Sequence, residues 1–415
     1  MKIAINFMVY YIEMNYKNFD VNKNKYQLKK VFIFSRHNVR SPLSDGDSIL
    51  GNITNHSWFD WTSKSGELSL RGFDLEKEVG KYYREYLIDK EFIDNEYTPT
   101  EEEVRIYANT KQRTIETARC FAKGLFPNSD LSVEHKEIGT KDPSFNARVN
   151  YLSDNYINQV NEEIKQYSKS VDLKDSYKLL EEVLDYSESK MSKDLPHLDP
   201  NDFSVTLKLD EEPILNDSLT IAANAVDALK LQYYEDDDNF RAAFNHDLSV
   251  QQWVLLSKIT DIFIDIKNSL PTISTSIANL ILKEIYKELE NNNRKITFMC
   301  GHDVNISSIL GALKVNDYNL PKTFEHRTPI GGAIVIEKWK DKNTSQEYYS
   351  ICMQYQTIYQ LEEIANLNLD LAPVKYRLSF KNLEANQDGL YRVEDFNNRV
   401  LNSIDDFEEI KEKYK

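Results

Sequence analysis

Cysteine is scarce in this sequence, with Cys120, Cys300 and Cys352 the only three in 415 residues. An odd count with no C-x-x-C pair argues against a disulfide framework or a zinc site. One bridge at most could form, and three buried thiols are the expected arrangement. That count leaves the compartment open. Long apolar runs are missing too. The stretch from Ile3 to Ile12 is too short to span a bilayer, and no later stretch is long and apolar enough for a transmembrane helix. The same stretch follows Lys2 and could be a signal-peptide core, yet it meets Glu13 and no small-x-small cleavage site follows. A degraded signal, a true start at Met14 and an ordinary terminal strand all fit. Positive charge is the third shortage. With 51 Lys and Arg against 67 Asp and Glu, the formal charge is -16, which repels nucleic acid and anionic membrane surfaces. Any anion site must therefore be a local cluster of arginines.

What is present suits a soluble globular protein, with 41% hydrophobic and 28% charged residues. The length suits one large domain with an insertion, or two domains. No internal repeat is visible. Residues 1–25 read as a lead-in or degenerate signal segment, solvated from residue 13. Val31-Phe32-Ile33-Phe34 then forms an unbroken apolar run of the kind a buried central strand shows. Residues 104–108 and 296–300 repeat the pattern. Polar, chemically capable residues follow each strand, and sites in open α/β sheets gather at such carboxyl ends. Residues 70–87 have helical spacing. Residues 112–123 read as a helix capped by Asn109 or Thr110 and stopped by Gly124 and Pro127. Residues 150–282 are helical and highly charged, an inserted cap within an α/β domain made of 26–149 and 283–415. Further strands follow at 332–339 and 348–355, then a final helix from Val393.

Three fragments carry the chemistry. After the first strand comes Ser35-Arg36-His37-Asn38-Val39-Arg40-Ser41-Pro42. Two guanidinium forks around one point make a site for a phosphate dianion. Their charge also favours the neutral, nucleophilic imidazole of His37. Alone, the segment fits a basic turn equally well. After the third strand, His302 can hold a phosphate oxygen while Asp303 protonates a departing alkoxide, which leaves poorly without a proton. Asp303 as a simple helix cap is the alternative. Arg113, in the first turn of its helix, is unfavourable beside the positive helix end unless an anion sits between them.

Taken together, Arg36 to Pro42 resembles the RHGxRxP signature of the histidine acid phosphatases, and His302-Asp303 resembles their HD motif. That resemblance implies a phosphoglycerate-mutase-like three-layer α/β domain with an inserted α-helical cap. It implies His37 as nucleophile and Asp303 as proton donor, with Arg36, Arg40, Arg113 and His302 binding phosphate. It implies no cofactor, no metal and a periplasmic or secreted protein, a cytoplasmic one being the alternative. Asn38 stands where most members have glycine; asparagine accepts a left-handed backbone, so the turn survives. Asparagine here is shared with the bacterial glucose-1-phosphatases, which residues 139–146, 231–235, 251–253 and 327–332 also resemble. In that subgroup Glu235 would reach toward the sugar. A solvated helix end is its plainer reading.

The expected partner is a small phosphate monoester such as glucose 1-phosphate, with no nucleic acid and no membrane; a homodimer is left open. A phytase is the rival enzyme, against which the acidic balance argues. A phosphohistidine mutase would place its acid on a glutamate elsewhere. A non-catalytic sugar-phosphate binding protein would be expected to have lost an arginine, the nucleophile or the acid, and none is lost. Gly331-Gly332 lacks a phosphate-loop context, and Glu235-Asp236-Asp237-Asp238 lacks calcium-loop spacing. His56, His135, His197, His246 and His326 have no ligand-like spacing.

Overall fold

The computed structural model describes residues 16–46, 48–236 and 238–415. The apolar run from Ile3 to Ile12, with Glu13 and Met14, lies outside the described residues. The centre is an eight-stranded mixed sheet. Its strands are β1 (Tyr26–Arg36), β2 (Val104–Ala108), β3 (Val133–Glu134), β4 (Ile296–Gly301), β5 (Ala333–Asp341), β6 (Glu347–Tyr355), β7 (Val374–Arg377) and β8 (Tyr391–Arg392). They lie in the order β8-β6-β5-β1-β4-β2-β3, with β7 paired on β6. From β1 through β4 and β2 to β3 the pairing is parallel; from β5 outward it is antiparallel.

Both faces of the sheet are covered, which is why β1 is apolar without alternation. Val31 and Ile33 point to one face, where they meet helices α1 (Leu70–Asp89) and α2 (Gln112–Leu125). Phe32 and Phe34 point to the other, with helices α7 (Pro271–Glu290), α8 (Asp303–Ala312) and α9 (Val393–Lys413). Helices α1 and α2 touch through glycine. A Cβ on Gly80 would lie 2.3 Å from the Phe121 carbonyl oxygen, and one on Gly124 2.3 Å from that of Lys77. Gly124 therefore serves close packing and does not stop the helix, which runs on to Leu125.

Between the strands, α3 (Asp154–Ser168), α4 (Lys174–Val183), α5 (Asp217–Glu235) and α6 (Val250–Ile264) build a second core around Tyr156, Leu180, Leu229 and Trp253. A small hairpin, Val205–Thr206 with Ile214–Leu215, interrupts this helical stretch. Helix α7 belongs to both cores: Ile273 and Ile277 pack with these helices, Ile281, Leu282 and Ile285 against the sheet. The residue 282 boundary drawn from sequence falls inside that continuous helix. The described part of the lead-in is solvated at Lys17, Asp20, Asn22, Asn24 and Lys25 but is also docked on the sheet. Val21 is buried, Asn18 Nδ2 donates to the Pro373 carbonyl at 2.8 Å, and Phe19 N donates to that of Lys375 at 3.0 Å. All three cysteines are free, and Cys120 is only half-buried, against the expectation of three buried thiols.

Candidate active site

Strand pairing brings the three fragments together. Arg36 lies opposite Gly301, and Ala108 opposite Cys300, so the chain leaves β1, β4 and β2 at one level. The ladder extends one residue further: His37 N donates to the Gly301 carbonyl at 3.1 Å and Asn109 N to that of Cys300 at 3.0 Å. His37 and His302 then meet edge to face, ring centroids 5.5 Å apart.

His37 is 4% exposed. Its Nδ1 lies 2.9 Å from the Asn38 carbonyl oxygen, which can only accept, so Nδ1 carries the proton and Nε2 keeps its lone pair. Burial, followed by Arg113, His302, Arg40 and Arg36, pushes its pKa well below the usual value. The ring is neutral. His302 opens α8, its backbone N held by Asn305 Oδ1 at 3.0 Å. Asn109 Nδ2 donates to His302 Nε2 at 2.8 Å. Asn109 is thus spent on the site and does not cap α2; that position is Lys111, which makes no side-chain cap.

Each arginine has a different set of partners. Arg36 Nη1 donates to Glu325 Oε1 at 2.9 Å and to the Thr328 carbonyl, while its Nη2 lies 3.2 Å from Asp303 Oδ2. Arg40 Nη2 donates to Asp227 Oδ2 at 2.9 Å. Among the described residues Arg113 Nη1 finds only the Gly66 carbonyl, at 3.2 Å. Burial and the nearby Arg40 bring its pKa down to about 10. The Nε of all three is buried with no hydrogen-bond partner among the described residues. These are donors suited to an anion. Asp303, the first residue of α8 after its N-cap His302, accepts from Val304 N at 2.8 Å and also faces Arg36. Burial pushes its carboxyl up, but Arg36 and His302 outweigh that and hold it below the usual range.

Glu235 is not brought to this cluster. It ends α5, half-buried, and accepts from Ser69 Oγ at 2.6 Å. Burial raises its pKa, opposed by Ser69 and Arg71. The acidic side chain that does reach the arginines is Asp227 on the same helix, a residue sequence reasoning missed. Lys230 and Glu325 were missed as well: Lys230 Nζ donates to Glu325 Oε1 at 2.8 Å, with side-chain exposures of 1% and 5%. One signal was available. Asp227 and Lys230 are the only charged residues between Thr220 and Gln232, a stretch otherwise apolar but for Asn224. Removing Glu325 strands a buried ammonium beside a freed guanidinium. Glu325→Leu should therefore lower unfolding free energy by about 3–5 kcal/mol in urea titration. It should also weaken inhibition by inorganic phosphate, since Arg36 loses its anchor; unchanged values of both would remove Glu325 from the site.

Comparison with known proteins agrees with this geometry. A family profile described as the histidine phosphatase superfamily (branch 2) matches residues 27–355. The glucose-1-phosphatase of Providencia rettgeri is 33% identical, over 91% of this chain and 92% of its own. Phytase AppA of Escherichia coli is 23% identical over 86% of this chain and 87% of its own. Among solved structures, the apo phytase of Hafnia alvei superposes with a TM-score of 0.83 at 27% identity, covering 92% of this chain and 98% of that one. The chain belongs to branch 2 of the histidine phosphatase superfamily and is a histidine acid phosphatase, a phosphomonoesterase.

Proposed function

We propose that the enzyme hydrolyses sugar phosphates such as glucose 1-phosphate through a phosphohistidine at His37. The carrying observation is the pairing of a buried, neutral His37, its Nε2 lone pair left free by the Nδ1 bond, with three arginines gathered around it. In this reading Nε2 attacks phosphorus in line while Arg36, Arg40, Arg113 and His302 neutralise charge on the equatorial oxygens. The ester P–O bond breaks and the leaving oxygen takes the proton of Asp303. Water then attacks the phosphohistidine, giving inorganic phosphate and restoring the ring. The preference for a sugar rests on the 33% identity to glucose-1-phosphatase and on two carboxylates of α5, Asp227 and Glu235. A phytase is the second reading, favoured by the superposition on the Hafnia alvei enzyme. An exported, periplasmic or secreted, enzyme is part of the proposal and rests on family resemblance.

Rapid quenching should trap an acid-labile, base-stable phosphoenzyme that His37→Ala cannot form; full activity in that variant would end this mechanism. Asp303→Asn should slow a sugar ester far more than an aryl ester, whose leaving group needs little protonation. The pH dependence follows from the charges. In the free enzyme Arg36 helps hold Asp303 ionised. A bound phosphoryl dianion neutralises Arg36 and lets the carboxyl take up a proton. The alkaline limb should lie at higher pH in kcat than in kcat/KM. Coincident limbs would detach Asp303 from that limb.

Glu235 and Asp227 provide the test of substrate class. A carboxylate beside the sugar accepts hydroxyl hydrogen bonds and repels additional phosphates. Glu235→Gln should lower kcat/KM for glucose 1-phosphate and raise it for phytate. If only Asp227→Asn does so, the sugar-reading acid is Asp227. If neither does, the sugar-phosphatase assignment loses its structural support.

A further inference from the structure

Asn38 stands where the family signature has glycine, and left-handed tolerance was the expected reason. The backbone overturns that reason: Asn38 is not among the residues with positive φ. The left-handed residue is its neighbour Gly331, at φ 67°, where an added Cβ would lie 2.8 Å from Asn38 Nδ2. Asparagine is present for its side chain.

That side chain is wholly buried and fully used. Its Oδ1 accepts from Val39 N at 2.9 Å, and its Nδ2 donates to Glu76 Oε2 at 2.9 Å. Asn38 N donates to Thr117 Oγ1 at 3.2 Å. The Asn38 carbonyl, in turn, holds His37 Nδ1–H. Glu76 comes from α1, is 1% exposed, and has no cationic side chain bonded to it among the described residues. Burial, opposed only by the Asn38 bond, pushes its carboxyl up to about 8, so it is neutral through the acid range. With Ser35, Gln354 and Gln356 it lines a space of about 10 Å³, close to what a single water needs. A water there accepts a hydrogen bond from the acid's O–H.

We infer that Glu76 is a positioning residue for the nucleophile, fixing the Asn38 amide and so the carbonyl that aims His37 Nε2. A buried acid with no cation partner is costly, and packing alone would be served better by leucine. The bond to Asn38 gives it a purpose in the loop that carries the nucleophile. Glu76 touches neither substrate nor reacting atoms.

The inference rests on His37 as nucleophile, and wild-type phosphoenzyme formation from an aryl phosphate checks that separately. Failure there sinks the nucleophile reading; the variants judge Glu76. Measured by rapid quench per folded protein, Glu76→Leu should slow phosphoenzyme formation by about 10- to 100-fold. The inhibition constant for inorganic phosphate should barely change, because the arginines stay in place. Glu76→Gln keeps the shape and an acceptor for Asn38, and should restore most of the rate. Phosphorylation of Glu76→Leu at the wild-type rate would overturn the inference, as would a Gln variant as slow as the Leu variant. Should Glu76→Leu not fold, Asn38→Ala cuts the same bond from the other side. The same slowing is expected there, and a wild-type rate would again overturn it.

Discussion

Arg36, Arg40 and Arg113 are drawn into one pocket, and buried like charges repel with little screening between them. Carboxylates from distant parts of the chain answer this: Asp303 from the end of β4, Asp227 from α5 and Glu325 from the loop before β5. Arg113 is the exception, with only a carbonyl for a partner among the described residues. Its lowered pKa, against the raised one of Arg36, marks it as the least compensated cation. With Lys230 included, four cations face three carboxylates, so the pocket holds one excess positive charge inside a strongly acidic protein. A phosphoryl dianion overshoots that excess. Protonating one carboxylate restores the balance, and Asp303 lies 3.2 Å from the arginine that the dianion neutralises. In the proposed mechanism, binding and the supply of the proton from Asp303 are therefore one electrostatic event.

The same charges explain how the histidines behave. Both rings are buried among cations, and a further cation there would be strongly disfavoured. The pocket thus keeps His37, the proposed nucleophile, neutral even at acid pH, where Asp303 is most readily protonated. The two requirements of the chemistry, a deprotonated base and a protonated acid, are usually opposed on the pH scale. Here burial and the arginines lower the pKa of His37. In the proposed mechanism a bound dianion neutralises Arg36 and lets Asp303 keep its proton, so both needs are met in the complex on the acid side.

Much of this was legible in the sequence because it is local. The unbroken run of β1, the residues directly after each strand and the spacing of α1 are all set by near neighbours and by burial on both sheet faces. Parallel pairing then needed only to set the strand ends level. The partners of the arginines were not legible, since Asp227 and Glu325 reach them across more than 180 residues of chain. The cap of α2 was misread because Asn109 has a stronger use facing His302 than at the helix end. Asn38 was misread for the same reason. Backbone preference suggested a turn residue, while a carboxyl 38 residues away decided its role.

Glu76 and Glu325 show how far a residue type is from fixing a charge state. Both are almost wholly buried, and burial raises the pKa of each. Glu325 receives Lys230 and Arg36, and their charge outweighs burial to leave it ionised. Glu76 receives an amide, which cannot do so, and it stays neutral. The difference suits the two positions. An ionised Glu325 sits beyond Arg36 and holds a cation that must stay in the pocket. A charged Glu76 behind the His37 loop would raise the basicity of a ring that has to remain unprotonated. Neutral, and in the role inferred for it, Glu76 supplies direction without field, and His37 keeps the electrostatics that the arginines impose.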